Sequence, residues 1–334
     1  MIRNLGKDSE TDSAAFLNSL DDLSRIENMP VVDPESPNAG VLHHIFSEIY
    51  SACRAIHQPT AVSYLGPEAT FTHMAALRHF GHAAQFKSEP SIRDIFNQTV
   101  KDAGRYGIVP VENSIEGSVN QTLDLLLEYN LKICAEVYHP VCHCLLSRES
   151  DLESIHTVYS HPQALAQCRE WLRRRLPAAR MENCASTADA ACRASKKKGA
   201  AAVAAGEVAP LYQLNILVSG IEDIVGNITR FLVMGRKKTE RTGCDKTSLL
   251  FATSHKPGAL YRALAPLAEA QINMVKLESR PAKRQNWSYC FFTDLEGHIE
   301  DAAVAHAVEK MKEHCMFLKC LGSYPKATGL RTQG

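Results

Sequence analysis

Residues 109–118 read Val109-Pro110-Val111-Glu112-Asn113-Ser114-Ile115-Glu116-Gly117-Ser118, and residues 226–231 read Gly226-Asn227-Ile228-Thr229-Arg230-Phe231. In both segments small hydrogen-bonding side chains adjoin an apolar run and stand beside a proline or a glycine. This pattern is typical of a strand end that delivers polar groups into a cleft. Together the segments supply amide, hydroxyl, carboxylate and guanidinium groups, without a Ser-His-Asp arrangement, a metal cage or a phosphate loop. Such a set suits an anionic small molecule that needs one hydroxyl to share or hand over a proton.

The sequence around these segments alternates short strands with helices from Ala61 onward, which is the pattern of an α/β domain. The predicted strands are 61–65, 106–109, 132–146, 155–159, 200–203, 214–219 and 229–234. The predicted helices are 71–80, 91–103, 120–129, 164–176, 188–198 and a short one at 207–211. We therefore expect one large domain over residues 61–236.

A polar, charged linker at 235–246 precedes a second module at 247–325. Its predicted strands are 247–253, 272–279, 287–294 and 316–324, and its predicted helices are 258–270 and 300–314. The order βαββαβ favours a small ferredoxin-like sandwich.

The bulk composition is that of an ordinary soluble globular protein, with 45% hydrophobic and 22% charged residues and a formal net charge of zero. Zero net charge gives no support to a nucleic-acid stripe or a polybasic membrane face. The sequence also has no apolar stretch of transmembrane length and no secretory leader. We therefore expect neither nucleic acid nor a membrane among the partners.

Eleven cysteines are scattered at irregular intervals. An odd number without framework spacing, in a chain of this length, indicates reduced thiols and a cytoplasmic location. The run His139-Pro140-Val141-Cys142-His143-Cys144 raises the question of a metal site. In a strand Cys142 and Cys144 share one face and His143 takes the other, so the three cannot converge on one ion. We therefore expect no metal there.

Residues 1–40 are weak in periodicity and rich in proline towards their end, so a long helix is excluded there. Only the short amphipathic segment 16–26 could be helical. Helical spacing of apolar residues predicts a better helix at 41–56. We expect residues 1–60 as a whole to be partly disordered and partly helical.

Several motifs, in order along the chain, resemble those of prephenate dehydratase with a C-terminal ACT regulatory domain. They are Tyr64-Leu65-Gly66-Pro67-Glu68-Ala69-Thr70-Phe71, residues 110–127, Val158-Tyr159-Ser160-His161-Pro162-Gln163-Ala164-Leu165, Ser186-Thr187, Asn227-Ile228-Thr229-Arg230-Phe231, Gly258-Ala259-Leu260 and Glu278-Ser279-Arg280-Pro281. Each motif is weak alone, but the ordered set covers about four fifths of the chain.

The resemblance implies a catalytic domain of two α/β lobes around a cleft, like a periplasmic binding protein. The implied reaction converts prephenate to phenylpyruvate with loss of water and carbon dioxide, and it needs no cofactor. Because formation of the aromatic ring supplies the driving force, a hydroxyl donor beside the leaving oxygen suffices. The family's key residue matches Thr229. We expect Thr229 either to pass a proton along a chain or to stabilise the leaving oxygen electrostatically.

The resemblance also implies roles for other residues of the two segments. Asn113, Ser114 and backbone amides near Gly117 are expected to hold the substrate carboxylates. Glu112 has either a site role or a structural hydrogen bond. Arg230 either binds a carboxylate or pairs with an acid to orient its strand. Phe231 is expected to form a wall of the cleft.

Further residues match positions on both sides of the implied cleft. Thr70, at the start of a helix, is placed to bind an anion with the helix N-terminus behind it. The positions that match the lining of the other lobe are Ser160, Gln167, Ser186 and Thr187. His161, in a turn before a proline, is expected to be structural.

The C-terminal module resembles an amino-acid sensor. Its implied effector is L-phenylalanine, bound by the segments Gly258, Ala259, Leu260 and Glu278, Ser279, Arg280, Pro281 at a dimer interface. Gly258 would let a helix N-terminus approach the ligand closely. Binding there would bias the chain between two arrangements of a homodimer or homotetramer. The alternative is a fold-stabilising module with an inactive pocket.

Two positions depart from the family pattern. Ala69 stands where the family turn has a second glycine, which is tolerable at negative φ and costly at positive φ. Gly226 stands where an asparagine is common, which could loosen the loop before Thr229.

The segment 40–58 resembles the last helix of the chorismate mutase domain that precedes some prephenate dehydratases. That domain needs three helices and several cations, whereas residues 1–60 offer only Arg3, Lys7, Arg25 and Arg54. We therefore predict a degenerate remnant without mutase activity.

Two rival functions remain open. Arogenate dehydratase acts on a substrate that differs by one amino group, and a non-catalytic aromatic-acid sensor would use the same cleft. Thr229, Asn113 and Ser114 favour an enzyme over a sensor.

Overall fold

The structure, a computed structural model, describes residues 45, 48–49, 51–53, 55–56, 59–281 and 289–327. The described residues between 45 and 56 are helical, as the sequence predicts, and Glu48 Oε1 lies 2.7 Å from His82 Nδ1. The expectations for residues 1–44 lie outside the described residues.

The first lobe is built on a sheet with the strand order β2-β1-β3-β11-β5, in which β4 pairs with β3. Its strands are β1 (Ala61–Leu65), β2 (Gln85–Glu89), β3 (Arg105–Asn113), β4 (Gly117–Ser118), β5 (Lys132–Pro140) and β11 (Ile228–Gly235). Its helices are α1 (Phe71–Phe80), α2 (Ile92–Lys101) and α3 (Asn120–Glu128). β1 to β3 are parallel, whereas β11 runs antiparallel to both β3 and β5.

The second lobe is built on a sheet with the order β10-β6-β9-β7-β8. Its strands are β6 (Cys144–Ser147), β7 (Thr157–Ser160), β8 (Arg180–Asn183), β9 (Ala200–Ala204) and β10 (Asn215–Ser219). Its helices are α4 (Pro162–Gln167), α5 (Arg169–Arg175) and α6 (Thr187–Ala194), with 3₁₀ turns at Gly206–Val208 and Pro210–Tyr212. Buried alanines of α6 and β9 let the helix lie close to the sheet.

The chain crosses between the lobes twice, at residues 141–143 and 220–227. The parallel strands of both lobes end on the side of these crossings, because β6 and β11 start there and β5 ends there. Ligands of open α/β sheets bind at the carboxyl ends of parallel strands. The fold therefore places a cleft at this edge, as the predicted two-lobed architecture requires.

Three local predictions need correction. The strand predicted at 132–146 is two strands in different sheets, because the ladder between β5 and β11 ends at Pro140, which has no N–H to donate. The helix predicted at 164–176 is divided at Cys168, whose φ of −113° and ψ of 13° are not helical. The edge strands β2 and β8 were not predicted, because their mostly polar, exposed residues lack an apolar period.

The C-terminal domain is the predicted βαββαβ unit, with the sheet order β13-β14-β12-β15. Its elements are β12 (Asp245–Ala252), α7 (Ala259–Glu269), β13 (Met274–Pro281), β14 (Tyr289–Glu296), α8 (Ala302–Glu313) and β15 (Phe317–Pro325). The antiparallel order and the two helices on one face match a ferredoxin-like sandwich.

The other face of this sheet packs directly on the first lobe. Leu250 and Phe292 share one buried core with Val111, Leu123 and Ile133. At Gly322 an added Cβ would lie 2.2 Å from the carbonyl oxygen of Ile133, so only glycine allows β15 to approach β5 this closely. The two domains therefore share a continuous apolar interior.

All eleven cysteines are free thiols. Among the helices of the described ranges, none is both long and apolar enough to cross a bilayer.

Candidate active site

Thr229 and Asn113 lie side by side at the cleft edge of the first lobe. They face each other in the register between β11 and β3, and Asn113 Nδ2 donates to Thr229 Oγ1 at 2.9 Å. Thr229 is 9% exposed and Asn113 is 8% exposed. The two segments that the sequence singles out, more than 100 positions apart, therefore meet in one hydrogen-bonded pair.

The orientation of the Asn113 amide follows from its neighbours. Its Oδ1 accepts from the backbone N–H groups of Ile115 at 3.0 Å and Glu116 at 3.1 Å. Only the NH₂ group is then left to meet Thr229, so the threonine oxygen is an acceptor in this pair. The hydroxyl proton of Thr229 consequently remains free to donate to a ligand.

Further amides extend this pair across the cleft. Asn113 Nδ2 also donates to Asn227 Oδ1 at 2.7 Å, and Asn227 Nδ2 donates to Gln167 Oε1 at 3.3 Å. Gln167, from α4 of the second lobe, donates through Nε2 to Glu116 Oε1 of the first lobe at 3.0 Å. The result is a chain of side-chain hydrogen bonds that joins both lobes and ends at Thr229.

Ser114 and Gly117 complete the first-lobe side. Ser114 Oγ accepts from the Ile228 amide at 2.9 Å, and the Ser114 amide donates to the Ile228 carbonyl at 2.9 Å. These bonds hold the turn after β3 against the start of β11. Gly117 is exposed with a φ of +81°, and its register partner is Asn113. Both residues thus border the Thr229–Asn113 pair, and their expected role in holding substrate carboxylates stays a prediction.

Two histidines that were not predicted as site residues lie beside this pair. His139 is the register partner of Thr229 on β5, and its Nδ1 is buried without a hydrogen-bond partner. Burial lowers the pKa of His139 to about 4, so the imidazole is neutral near pH 7. His143 lies within 2.9 Å of Gln167 through Nε2, and burial lowers its pKa also. The sequence did hold a signal for His139. It lies directly before Pro140 in a predicted strand, and alternation of side chains along that strand could have indicated which face it takes.

The same neighbourhood offers no metal site among the residues that the structure describes, since no group of three or more His, Cys, Asp or Glu side chains is arranged to hold an ion. Cys144 opens β6 in the second lobe, whereas His143 lies in the crossing before it. Cys142 and His143 therefore lie outside a strand, and the alternation of faces expected for these three residues does not apply to them.

Thr70 caps α1 at the same edge. Its Oγ1 donates to the Leu65 carbonyl at 2.8 Å and accepts from the His73 amide at 3.3 Å. Ala69 precedes it and replaces the second glycine of the family turn. Its φ of +63° is positive, and a residue with a Cβ pays a conformational cost there. The Ala69 amide donates to His73 Nδ1 at 3.1 Å, which helps to hold the strained turn.

Gly226 also has a positive φ, of +84°. Glycine and asparagine are the residues that best tolerate this region. Glycine in place of the family's asparagine therefore preserves the backbone shape before Thr229.

The residues predicted on the second lobe divide into two groups. Ser186 and Thr187 form the N-terminus of α6, where Ser186 Oγ accepts from the Asp189 amide at 3.0 Å. Ser160 ends β7 at the cleft edge but is 0% exposed, and its hydroxyl donates to the Val203 carbonyl at 2.6 Å. The prediction that Ser160 lines the cleft is therefore wrong, because its side chain is enclosed and its proton is used.

Three predicted site residues of the first lobe do not reach the cleft. Arg230 and Glu112 lie on the opposite face of the sheet from Thr229 and Asn113, because consecutive strand residues alternate. Arg230 pairs with Glu136 and Asp294, and Glu112 lies 2.6 Å from Lys276. The structure thus favours the structural alternatives for both. Phe231 is 1% exposed and packs in the core under α1, so it is not a cleft wall.

The two segments expected to bind an effector lie in different parts of the C-terminal domain. Gly258 precedes α7 with a φ of +74°, and Ala259 and Leu260 open that helix. Residues 278–281 end β13, where Glu278 and Arg280 are half-buried and Ser279 and Pro281 are exposed. Arg280 Nη2 lies 3.1 Å from Asp124 of α3. Arg280 therefore faces the first lobe.

Comparison with known families gives a direct assignment. The family model "Prephenate dehydratase" matches residues 62–239, and the model "ACT domain" matches residues 247–313. The chain belongs to the prephenate dehydratase family. The match covers both lobes and therefore the whole candidate site, while the ACT match covers the C-terminal domain.

Curated relatives agree with this assignment. A bifunctional chorismate mutase/prephenate dehydratase of Aquifex aeolicus is 48% identical over 286 residues, which are 86% of this chain and 79% of the relative.

Solved structures confirm the fold. The prephenate dehydratase of Arthrobacter aurescens, in complex with L-Phe, is 32% identical with a TM-score of 0.73 and covers 80% of this chain and 90% of its own. GqqA, described as a novel type of quorum quenching acylase, is 28% identical with a TM-score of 0.72 and covers 80% of this chain and 98% of its own. The two-lobed catalytic domain and the ACT domain are thus those of the family.

Proposed function

We propose that the chain is a prephenate dehydratase, which converts prephenate to phenylpyruvate, water and carbon dioxide. The observation that carries the proposal is the hydrogen bond from Asn113 Nδ2 to Thr229 Oγ1, at 2.9 Å, in the cleft of a chain of this family. Because Thr229 accepts in this bond, its own proton is available to a ligand.

In the proposed reaction the C–O bond to the ring hydroxyl breaks while the ring carboxylate leaves as carbon dioxide. The electron pair of the broken C–C bond enters the ring, which becomes aromatic, and the departing hydroxide takes up one proton to form water. Thr229 donates a hydrogen bond to the oxygen as negative charge develops on it. Because Asn113 Nδ2 donates to Thr229 Oγ1, the threonine O–H is polarised further.

This geometry favours electrostatic stabilisation over a proton relay. A relay through Thr229 needs a group behind it that can replace the lost proton. Its neighbour Asn113 presents an amide N–H, which is far too weak an acid for that task. The net proton that the reaction consumes is therefore drawn from water in the cleft.

The substrate carries two carboxylates, and the cleft offers neutral donors rather than cations. The N-termini of α1 at Thr70 and of α6 at Ser186 belong to different lobes and lie at the strand ends that border the cleft. Helix N-termini bind anions through free amides and the helix dipole. We propose that one carboxylate lies near Ser114 and Gly117 and that the other faces these helix starts.

The decisive experiment mixes the purified protein with prephenate near neutral pH and follows the appearance of phenylpyruvate. A parallel reaction with arogenate separates the two dehydratases, because the two substrates differ by one amino group. Formation of phenylpyruvate supports the proposal. Binding of prephenate without turnover would instead identify a sensor.

The acylase description belongs to GqqA. In this chain Ser114 Oγ accepts from a backbone amide, Ser160 donates to a carbonyl, and Ser186 caps a helix. None of these three hydroxyls has a hydrogen bond to a histidine in the described part of the chain, so the cleft supports dehydration better than attack by a serine.

L-phenylalanine is the proposed effector of the ACT domain. The L-Phe complex of the Arthrobacter aurescens relative supports this proposal, as does the left-handed Gly258 that opens the first ACT helix. Titration calorimetry with L-phenylalanine, beside L-tyrosine as a control ligand, tests it. Equal or absent heats for both amino acids would contradict it.

We further propose that chorismate mutase activity is absent, although relatives of this chain are bifunctional. The proposal rests on the four cations of residues 1–60, too few for a dicarboxylate transition state in a three-helix site. Incubation with chorismate tests it, and formation of prephenate would overturn it.

A homodimer or homotetramer in the cytoplasm is also proposed. The ACT edge strand β13 exposes Val275 and Leu277, which a second copy would cover. The eleven free thiols suit a reducing compartment. Light scattering coupled to gel filtration measures the assembly, and cell fractionation measures the location.

A further inference from the structure

We infer that Arg230 and Glu112 are positioning residues for Thr229 and Asn113, and that the ACT domain holds both of them in place. The inference rests on the proposed function, because it concerns how the proposed catalytic pair is kept in register.

The two pairs lie back to back on the same two strands. Thr229 pairs with Asn113 in the register between β11 and β3, and Arg230 pairs with Glu112 in the next position. Successive side chains of a strand point to opposite faces. The first pair therefore faces the cleft and the second faces the ACT domain. A displacement of the second pair moves the backbone that carries the first.

All three nitrogens of the Arg230 guanidinium group donate hydrogen bonds. Nε donates to Glu136 at 2.9 Å, Nη1 to Asp294 at 2.6 Å and Nη2 to the Tyr324 hydroxyl at 3.0 Å. Glu136 belongs to β5 of the first lobe, whereas Asp294 and Tyr324 belong to the ACT domain. Arg230 is 6% exposed, so these bonds are made away from water. Charge-assisted bonds in such surroundings fix geometry strongly.

The charges of this cluster balance. Lys246 of the ACT domain lies 2.7 Å from Glu136, so two cations meet the two carboxylates of Glu136 and Asp294. Ser248 Oγ donates to Asp294 Oδ1 at 2.5 Å and lies 2.7 Å from the Tyr324 hydroxyl. Removing one partner from a balanced buried cluster leaves an uncompensated charge, which is strongly unfavourable. The cluster therefore ties the position of β11 to that of the ACT strands.

Glu112 provides the second tie. Its Oε2 lies 2.6 Å from Lys276 Nζ, on the ACT strand β13. Lys276 stands two positions before Glu278, the first residue of the segment expected to contact the effector. The same strand reaches α3 through Arg280 and Asp124. An effector that shifts β13 would thus act on Glu112 directly.

The test is Asp294→Asn, which removes the charge of the ACT carboxylate that binds Arg230. The matched control is Glu296→Gln, the same chemical change two residues later on β14, at a carboxylate that binds Lys326 and Asn273 within the ACT domain. We expect Asp294→Asn to lower kcat about tenfold while KM for prephenate changes less than about threefold. Glu296→Gln is expected to leave both within about twofold.

A second measurement separates positioning from fold stability. Hydrogen exchange of the amides of residues 228–235 should accelerate in Asp294→Asn and not in Glu296→Gln, at a temperature where both remain folded. L-phenylalanine should still bind Asp294→Asn within about threefold but should no longer alter its kcat.

Milder variants keep the inference testable should Asp294→Asn fail to fold. Tyr324→Phe removes the hydroxyl that accepts from Arg230 Nη2. Lys276→Met removes the cation that pairs with Glu112, and Lys312→Met, at an exposed lysine, is the control for Lys276→Met. Lys276→Met should lower kcat more than Lys312→Met does, and Tyr324→Phe more than Glu296→Gln does. The inference is overturned if the test variants match their controls in kcat. If the parent protein itself fails to turn over prephenate, the proposed function is wrong instead.

Discussion

Arg230 Nη1 lies 2.6 Å from Asp294 Oδ2, although Arg230 follows Thr229 in the catalytic domain and Asp294 belongs to the ACT domain. Both side chains are buried. The ACT domain therefore makes direct contact with the strand that carries the candidate catalytic hydroxyl. The two domains are therefore joined both by this ion pair and by a shared apolar core.

The hydroxyl of Thr229 is expected to supply most of the stabilisation of the leaving oxygen. Thr229→Ala should lower kcat by about 10²- to 10³-fold with little change in KM, because the lost hydrogen bond forms fully only in the transition state. Thr229→Ser, which keeps a hydroxyl, is the control and should retain far more activity. Steady-state kinetics with prephenate measure both. Activity of Thr229→Ala within a few-fold of the parent would remove Thr229 from the mechanism.

The direction of the bond between Asn113 and Thr229 can be reversed. In Asn113→Asp the carboxylate accepts on every side, so the Thr229 proton turns towards it and away from the substrate. We expect kcat to fall by at least about tenfold near neutral pH and to recover partly as acid protonates the new carboxyl. The same change at exposed Asn215 controls for added charge. A pH–rate profile parallel to that of the parent would contradict this account.

The left-handed backbone at Gly226 selects which residues the loop before Thr229 accepts. With a φ of +84° and no atom within 4 Å of an added Cβ, the site is limited by backbone conformation rather than by space. Gly226→Asn should cost well under about 1 kcal/mol, whereas Gly226→Val should cost about 1–2 kcal/mol or more. Urea denaturation of the two variants beside the parent measures this. Equal stability of the two variants would show that the loop relaxes.

Burial of His139 makes stability depend on pH. Its folded-state pKa of about 4 lies below the value of 6.5 expected of an unfolded chain, so the unfolded state binds more protons between these values. The contribution of His139 to the free energy of unfolding is therefore fully present above about pH 6.5. It is lost, by up to about 3 kcal/mol, as the pH drops towards 4.

Replacing the imidazole tests this directly. The loss of unfolding free energy between about pH 7.5 and about pH 5 should be smaller in His139→Leu than in the parent, because the leucine binds no proton. His156→Leu, at an exposed histidine, is the control. The account is wrong if the two variants lose the same free energy over this interval.

Much of the fold could be predicted because apolar period and turn residues are local properties. The helices at 71–80 and 120–129 and the complete βαββαβ order of the C-terminal domain were predicted from such patterns. β2 and β8 were not, because strands at a sheet edge need little apolar surface. The division of 132–146 was missed because an apolar run does not state which of two sheets it joins.

The candidate site was predicted in part for the same reason. The convergence of Thr229 with Asn113 and Ser114 was expected from their motifs, and the structure brings them together. For Arg230 and Glu112 the sequence left a cleft role and a structural role open, and the ion pairs of both residues favour the structural role. Strand alternation, which turns them away from Thr229 and Asn113, is the sequence property that could have decided this. His139 was missed because its relation to Thr229 is one of register between strands 90 positions apart.

By itself the sequence determined the family, most of the strand and helix order, and the residue types offered at the candidate site, because these depend on residue type and short spacing. Only the tertiary structure decided the direction of the Asn113–Thr229 hydrogen bond and the partners of Arg230. Both depend on which atoms of distant strands come within 3 Å of each other, and that distance is set by packing of the whole chain rather than by any local segment.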